Sequence, residues 1–122
     1  MTTNSFLDEM KKNFLYILSQ KSSTSVDIDD LSINYNDLLD CSLTKYLTLL
    51  QSKAELLALA KKNNDEIAMQ SALLKLRAHA MSLSSFFDAI GEDVEKILRT
   101  GKWAEIPKDY KVPAHYNDPP QK

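Results

Sequence analysis

Between Met69 and Ile97 the apolar residues Met69, Leu73, Leu76, Ala80, Leu83, Phe87, Ile90, Val94 and Ile97 follow one another at alternating steps of four and three. Such spacing holds them within one stripe of a 3.6-residue helix and predicts a helix from about Asp65 to Arg99. Gly91 falls inside it. A mid-helix glycine costs about 1 kcal/mol relative to alanine, yet the pattern stays in register across it. The segment is therefore one helix with a weak point or two helices meeting at a bend. Unbroken, at 1.5 Å per residue, it would be about 50 Å long.

A second stripe precedes it. Leu43, Leu47, Leu50, Ala54 and Leu57 repeat at four and three, and Leu39, Tyr46, Leu49, Leu56 and Leu59 widen the apolar side. This predicts a helix from near Asn36 to about Lys62, buried by two neighbours rather than one. The polar run after Lys62 breaks the pattern, and Asn63 with Glu66 three residues on has the form of a capping box. A connection this short requires the two helices to fold back as an antiparallel hairpin.

Near the N-terminus, Leu7, Met10, Phe14 and Ile17 share one face of a shorter helix, from Asn4 or Ser5 to about Ser19. Residues 20 to 36 are crowded with Ser, Thr, Asp and Asn, whose side chains compete for backbone hydrogen bonds, so they form a loop. Val26, Ile28, Leu31 and Ile33 are expected to pin part of that loop to the core or to form a short helical turn. At the other end, Thr100 followed by Gly101 reads as a helix stop closed by a left-handed glycine. All four prolines lie beyond it, at Pro107, Pro113, Pro119 and Pro120. Proline lacks an amide donor and disfavours helix in the residue before it, so this tail is expected to be extended or disordered. The expected fold is all-α: an antiparallel helical hairpin within a three- or four-helix bundle over residues 1–100, with an extended Pro-rich tail over 101–122.

Composition supports helices and narrows the chemistry. The 122-residue chain holds only two glycines, fewer than the hairpin turns of a sheet protein this size would need. Fifteen basic and seventeen acidic residues give a net charge of -2, which offers no bulk attraction to nucleic acid or anionic lipid. The lysine and arginine groups at Lys11–Lys12, Lys61–Lys62 and Lys75 with Arg77 are small and balanced by nearby acids, so no nucleic-acid-reading face is expected. No apolar run long enough to span a membrane occurs. The single cysteine, Cys41, can form no internal disulfide, which suits a cytoplasmic setting.

No reaction centre is expected. His79, His115 and Cys41 stand in no metal-ligand spacing. The adjacent acids Asp29–Asp30 and Glu92–Asp93 read as solvated loop and helix-end carboxylates rather than a pair facing one pocket. Arg77 and His79, two residues apart on a helix, point about 200° apart around its axis and cannot converge. With two glycines there is no phosphate-cradling loop or dinucleotide fingerprint. No cofactor, metal or small-molecule substrate is implied, and the chain is not expected to be an enzyme.

Protein binding is the function that remains, as a small adaptor, chaperone or regulatory subunit whose partner is another protein or a second copy of itself. The short first helix cannot cover the whole of the long third one, so the seam's far end at Phe86, Phe87, Ile90, Val94 and Ile97 must meet the tail, the 20–36 loop or another chain. Trp103, Tyr110 and Tyr116, with Ile106 and Val112 between them, bear the side chains that most often dominate interfaces. They either strap back over the bundle or dock a partner. A self-assembling structural subunit, for example of a secretion apparatus, and an inhibitor or immunity protein are the alternatives.

Overall fold

A computed structural model describes residues 6–22 and 27–117, and among these the fold is all-α, with three helices and no strand. Helix α1 spans Leu7–Lys21, α2 spans Leu39–Lys62 and α3 spans Glu66–Thr100; short 3-10 turns occupy Ile28–Asp30 and Ala114–Tyr116. Asn4, Ser5, Val26, Pro119 and Pro120 lie outside the described residues.

The α2–α3 connection is Asn63, Asn64 and Asp65. Asn64 takes a positive φ of 53°, a conformation asparagine tolerates better than other side chains bearing a Cβ. Asp65, rather than Asn63, caps α3, its carboxylate accepting the Ala68 amide at 3.0 Å. Asp65 N–H in turn donates to the Ala60 carbonyl at 2.9 Å. The expected capping box is displaced by an aspartate two residues later, which also satisfies a first-turn amide and adds favourable charge at the helix N-terminus.

Leu39 and Leu43, at the start of α2, share a cluster with Leu83, at the middle of α3, and only three residues join the helices, so the two run side by side in opposite directions. Leu7 and Ile33 complete this cluster, and Met10, Phe14, Tyr46, Phe86 and Ile90 pack around it. Burying each of its aliphatic side chains contributes about 2 kcal/mol. At 1.5 Å per residue the 24 residues of α2 reach about 36 Å and the 35 residues of α3 about 52 Å, so α2 leaves one end of α3 uncovered.

Helix α1 fills that end. Its first residues sit at the start of α2, where Leu7 and Asp8 bond Asp40. Its last residues meet the end of α3, where Ser22 bridges Gly101 and Lys102 N–H donates to the Lys21 carbonyl at 3.0 Å. Helix α1 thus runs in the same direction as the last turns of α3, and buried Leu18 and Ile97 close that end.

Helix α3 passes through Gly91 without a break. Its inward row steps by three and four through Met69, Ala72, Leu76, His79, Leu83, Phe86, Ile90, Asp93 and Ile97, all buried or half-buried. Five of these belong to the expected seam. The other four expected positions, Leu73, Ala80, Phe87 and Val94, are exposed, and Ala72, His79, Phe86 and Asp93 take their place. The inward side of α2 shifts in the same sense: Tyr46, Lys53 and Ala60 face inward while Leu47 and Ala54 are exposed.

Gly101 closes α3 without a left-handed residue, with φ -80° and ψ 157°. Glycine is needed there for space instead, because a Cβ would overlap the Trp103 indole nitrogen.

Candidate functional site

The one fully buried charged side chain among the described residues is Asp93, 1% exposed on the inward row of α3. Its carboxylate accepts the amides of Ser32 at 2.7 Å and Ile33 at 2.9 Å and the Tyr35 hydroxyl at 2.8 Å. Beside it, Glu92 accepts from the Ser32 hydroxyl at 2.6 Å, and Lys96 donates to the Asp30 carbonyl at 3.2 Å. Burial, then the hydrogen bond to Asp93 and its negative charge, push the Tyr35 phenol well above its ordinary value of 10.0. Asp93 is therefore not a solvated acid, whereas Glu92 stays exposed. Together they hold residues 30–35 against α3 and place Ile33 in the core. The sequence signal for this was available: Asp93 lies exactly one inward step from both Ile90 and Ile97, where a polar residue must find partners.

The remaining candidate groups do not converge. His79 is half-buried on the inward row, and Arg77 is exposed on the outer side of α3. His115 stacks on its neighbour Tyr116 with ring centroids 4.4 Å apart. Among the described residues no group of three or more His, Cys, Asp or Glu could hold a metal ion. No helix among them is long and apolar enough to cross a membrane. A cleft of about 180 Å³, bordered by Ser32, Asp37, Tyr46, Phe86 and Ile90, falls below the roughly 300 Å³ of an ordinary small-molecule site.

Two apolar surfaces remain open. The first is the outer side of α3, where Ile67 is 80% exposed and Leu73, Leu74, Met81, Phe87 and Leu98 are also exposed. A shallow depression of about 420 Å³ lies there among Gln70, Leu73, Leu74 and Arg77. The second is the tail, in which Ile106 is 78% exposed and Tyr110, Val112 and Tyr116 are exposed as well.

The eight expected docking residues divide between core and surface. Phe86 and Ile90 pack against the main cluster, Phe86 meeting Tyr46 and Phe87 edge-on at centroid distances of 5.8 and 5.5 Å, and Ile97 is buried. The far end of the seam is met by α1 and the 30–35 segment. Phe87, Val94, Trp103, Tyr110 and Tyr116 are exposed. Trp103 is nonetheless tied to the bundle: its indole N–H donates to the Ile97 carbonyl at 3.1 Å, and the Lys21 ammonium lies 5.3 Å from its ring centre. The exposed apolar row at the opposite end of α3, from Ile67 to Leu74, was not among the expected docking residues. Its signal was the adjacent pair Leu73–Leu74, which no single inward stripe can bury.

No protein-family model matches the chain, and neither the curated proteins nor the solved structures yield a match.

Proposed function

We propose that this chain is a cytoplasmic protein-binding module, an adaptor or regulatory subunit, whose docking segment is the aromatic tail from residue 104 to 117. The observation that supports this reading is the combination of local backbone turns with outward side chains. Tyr110 N–H bonds the Pro107 carbonyl, Tyr116 N–H bonds that of Pro113, and Asn117, at φ 59°, closes the last turn on Ala114. Ile106, Tyr110, Val112 and Tyr116 are nevertheless exposed. Trp103 fixes the root of the segment on α3, and the prolines restrict it beyond that point. A pre-ordered aromatic segment loses less conformational entropy when it docks, so more of its buried area appears as affinity. The exposed thiol of Cys41 suits a reducing compartment.

The test is site-directed photo-crosslinking of the full chain in its cells of origin, with the probe at Tyr110 and, as control, at Gln51 on the exposed side of α2. One protein is expected to crosslink from position 110 but not from 51, and to be lost when Ile106, Tyr110 and Tyr116 are all changed to Ser in the full chain. Equal capture from both positions, or retention by the triple variant, would remove the tail from the binding reading.

A further inference from the structure

We propose that two copies of this chain pair antiparallel through the outer faces of α3, about a two-fold axis near Met81 and Ser84. The outer row of α3 advances from Ile67 to Leu98 in steps of three and four, and every position on it is exposed. On it and beside it stand Ile67, Leu73, Leu74, Met81, Phe87 and Leu98, all exposed apolar side chains. Each is between 50% and 80% exposed, so together they offer apolar surface toward the roughly 800 Å² that a specific interface takes from each partner.

Size complementarity selects a second copy as the occupant. Gly91 lies on the outer row, and a Cβ built there would meet nothing within 4 Å. Among the described residues nothing therefore accounts for a residue that weakens the helix more than any other except proline. About the proposed axis, Leu74 of one copy faces Gly91 of the other, and Met81 faces Ser84. At these inner positions a large side chain meets a small one, and at both ends Ile67 meets Leu98, two large ones.

Charge selects the direction. Among the exposed charges of α3, Glu66, Lys75 and Arg77 lie in the first half and Asp88, Glu92, Glu95 and Arg99 in the second, so the first half is net positive and the second net negative. Antiparallel pairing sets Arg77 against Asp88 of the second copy, twice by symmetry, whereas parallel pairing in register would set like against like. Interfacial charges of this kind fix orientation more than they add affinity. The surface is separate from the tail, so pairing leaves both tails free.

Sedimentation equilibrium on the full chain tests the pairing, with helical content followed by circular dichroism. The native chain is expected to dimerise. Gly91→Leu fills open space in the single chain and should keep its helicity, yet weaken the dimer at least about tenfold by obstructing Leu74. Arg77→Glu should weaken it likewise, and Arg77→Glu combined with Asp88→Lys should restore it. A native chain that stays monomeric overturns the proposal, as does a dimer indifferent to Gly91→Leu. Failure of the charge exchange to restore association overturns the antiparallel register. A dimer lost instead on changing Ile106, Tyr110 and Tyr116 to Ser would assign self-association to the tail.

Discussion

Asp8 and Asp40 cap each other's helices. The Asp8 carboxylate accepts the amides of Leu39 at 2.7 Å and Asp40 at 3.4 Å, and the Asp40 carboxylate accepts those of Leu7 and Asp8, both at 3.0 Å. Neither helix is capped from its own N-cap position, held by Phe6 in α1 and Leu38 in α2. The exchange satisfies four amides that helix geometry leaves open and places a negative charge at each positive helix end.

Because the caps are exchanged, losing one also loosens the other. Asp8→Ala and Asp40→Ala should each cost about 1 kcal/mol, as lost N-caps do. The double variant should depart from their sum by about 0.5 kcal/mol or more, because both carboxylates depend on one docked arrangement. Urea unfolding of the four chains of this cycle measures the coupling, and strict additivity would show that the two caps act independently. Burial raises the Asp8 carboxyl, but hydrogen bonds from the amides of Leu39 and Asp40, together with the Asp40 side chain and Lys11, hold it below its ordinary 3.8. The fold favours its ionised form, so this stabilisation is complete above that value and is lost as pH falls through the lower folded one. Between about pH 5 and pH 2 the native chain should lose stability more steeply than Asp8→Ala.

The Asp93 anchor is a second determinant of the fold. Asp93→Ala leaves the Ser32 and Ile33 amides and the Tyr35 hydroxyl without their acceptor, and should cost about 3 kcal/mol or more because several buried donors lose one partner together. Tyr35→Phe removes a single hydrogen bond to a charged group and should cost about 1.5 kcal/mol. Alkaline titration separates the two roles. The Tyr35 phenol is pushed up in the fold, so its contribution is present below the unfolded value of 10.0 and declines as pH rises above it. The native chain should therefore lose stability above pH 10 faster than Tyr35→Phe, and parallel profiles would show that the phenol is not held by Asp93.

Helix existence was legible in the periodicity because a row repeating every seven residues survives small errors of phase. Met69, Leu76, Leu83, Ile90 and Ile97 belong to both the expected and the observed seam of α3. The flank beside them was misread because hydrophobicity pointed to the wrong side. Leu73, Ala80, Phe87 and Val94 are apolar and exposed, whereas His79 and Asp93 are polar and turned inward. Long-range caps such as Asp40 on Leu7 leave no local motif, since donor and acceptor are 33 residues apart. The same distance effect hid the role of Asp93, whose partners at Ser32 and Ile33 precede it by about sixty residues.

The shift in phase has a direct test at neighbouring residues. Ala72 is 0% exposed, so Ala72→Leu inserts three carbons where there is no space and should cost about 1–3 kcal/mol. Leu73→Ala alters an exposed position and should change stability by about 0.5 kcal/mol or less in the single chain. Thermal unfolding in dilute protein, where association does not contribute, compares them. A larger loss at Leu73 than at Ala72 would restore the seam expected from hydrophobicity alone.

Gly101 and Trp103 govern how the tail leaves the bundle. A Cβ on residue 101 would overlap the indole nitrogen and lie 2.9 Å from the Ile97 carbonyl oxygen, the acceptor that Trp103 uses. Gly101→Ala should therefore expel the indole and push the Ile97 carbonyl slightly aside, while the φ of -80° is one any residue can adopt. Loss of one hydrogen bond and of the Lys21 contact should cost about 1–2 kcal/mol. Trp103 is the only tryptophan in the chain, so its fluorescence reports the change directly. Gly101→Ala should shift the emission to longer wavelength and increase quenching by iodide, while Lys21→Ala should produce a smaller change of the same sign. Unchanged emission in Gly101→Ala would mean that the indole is not seated on the end of α3, and the tail would then lack the fixed root that makes it an ordered docking segment.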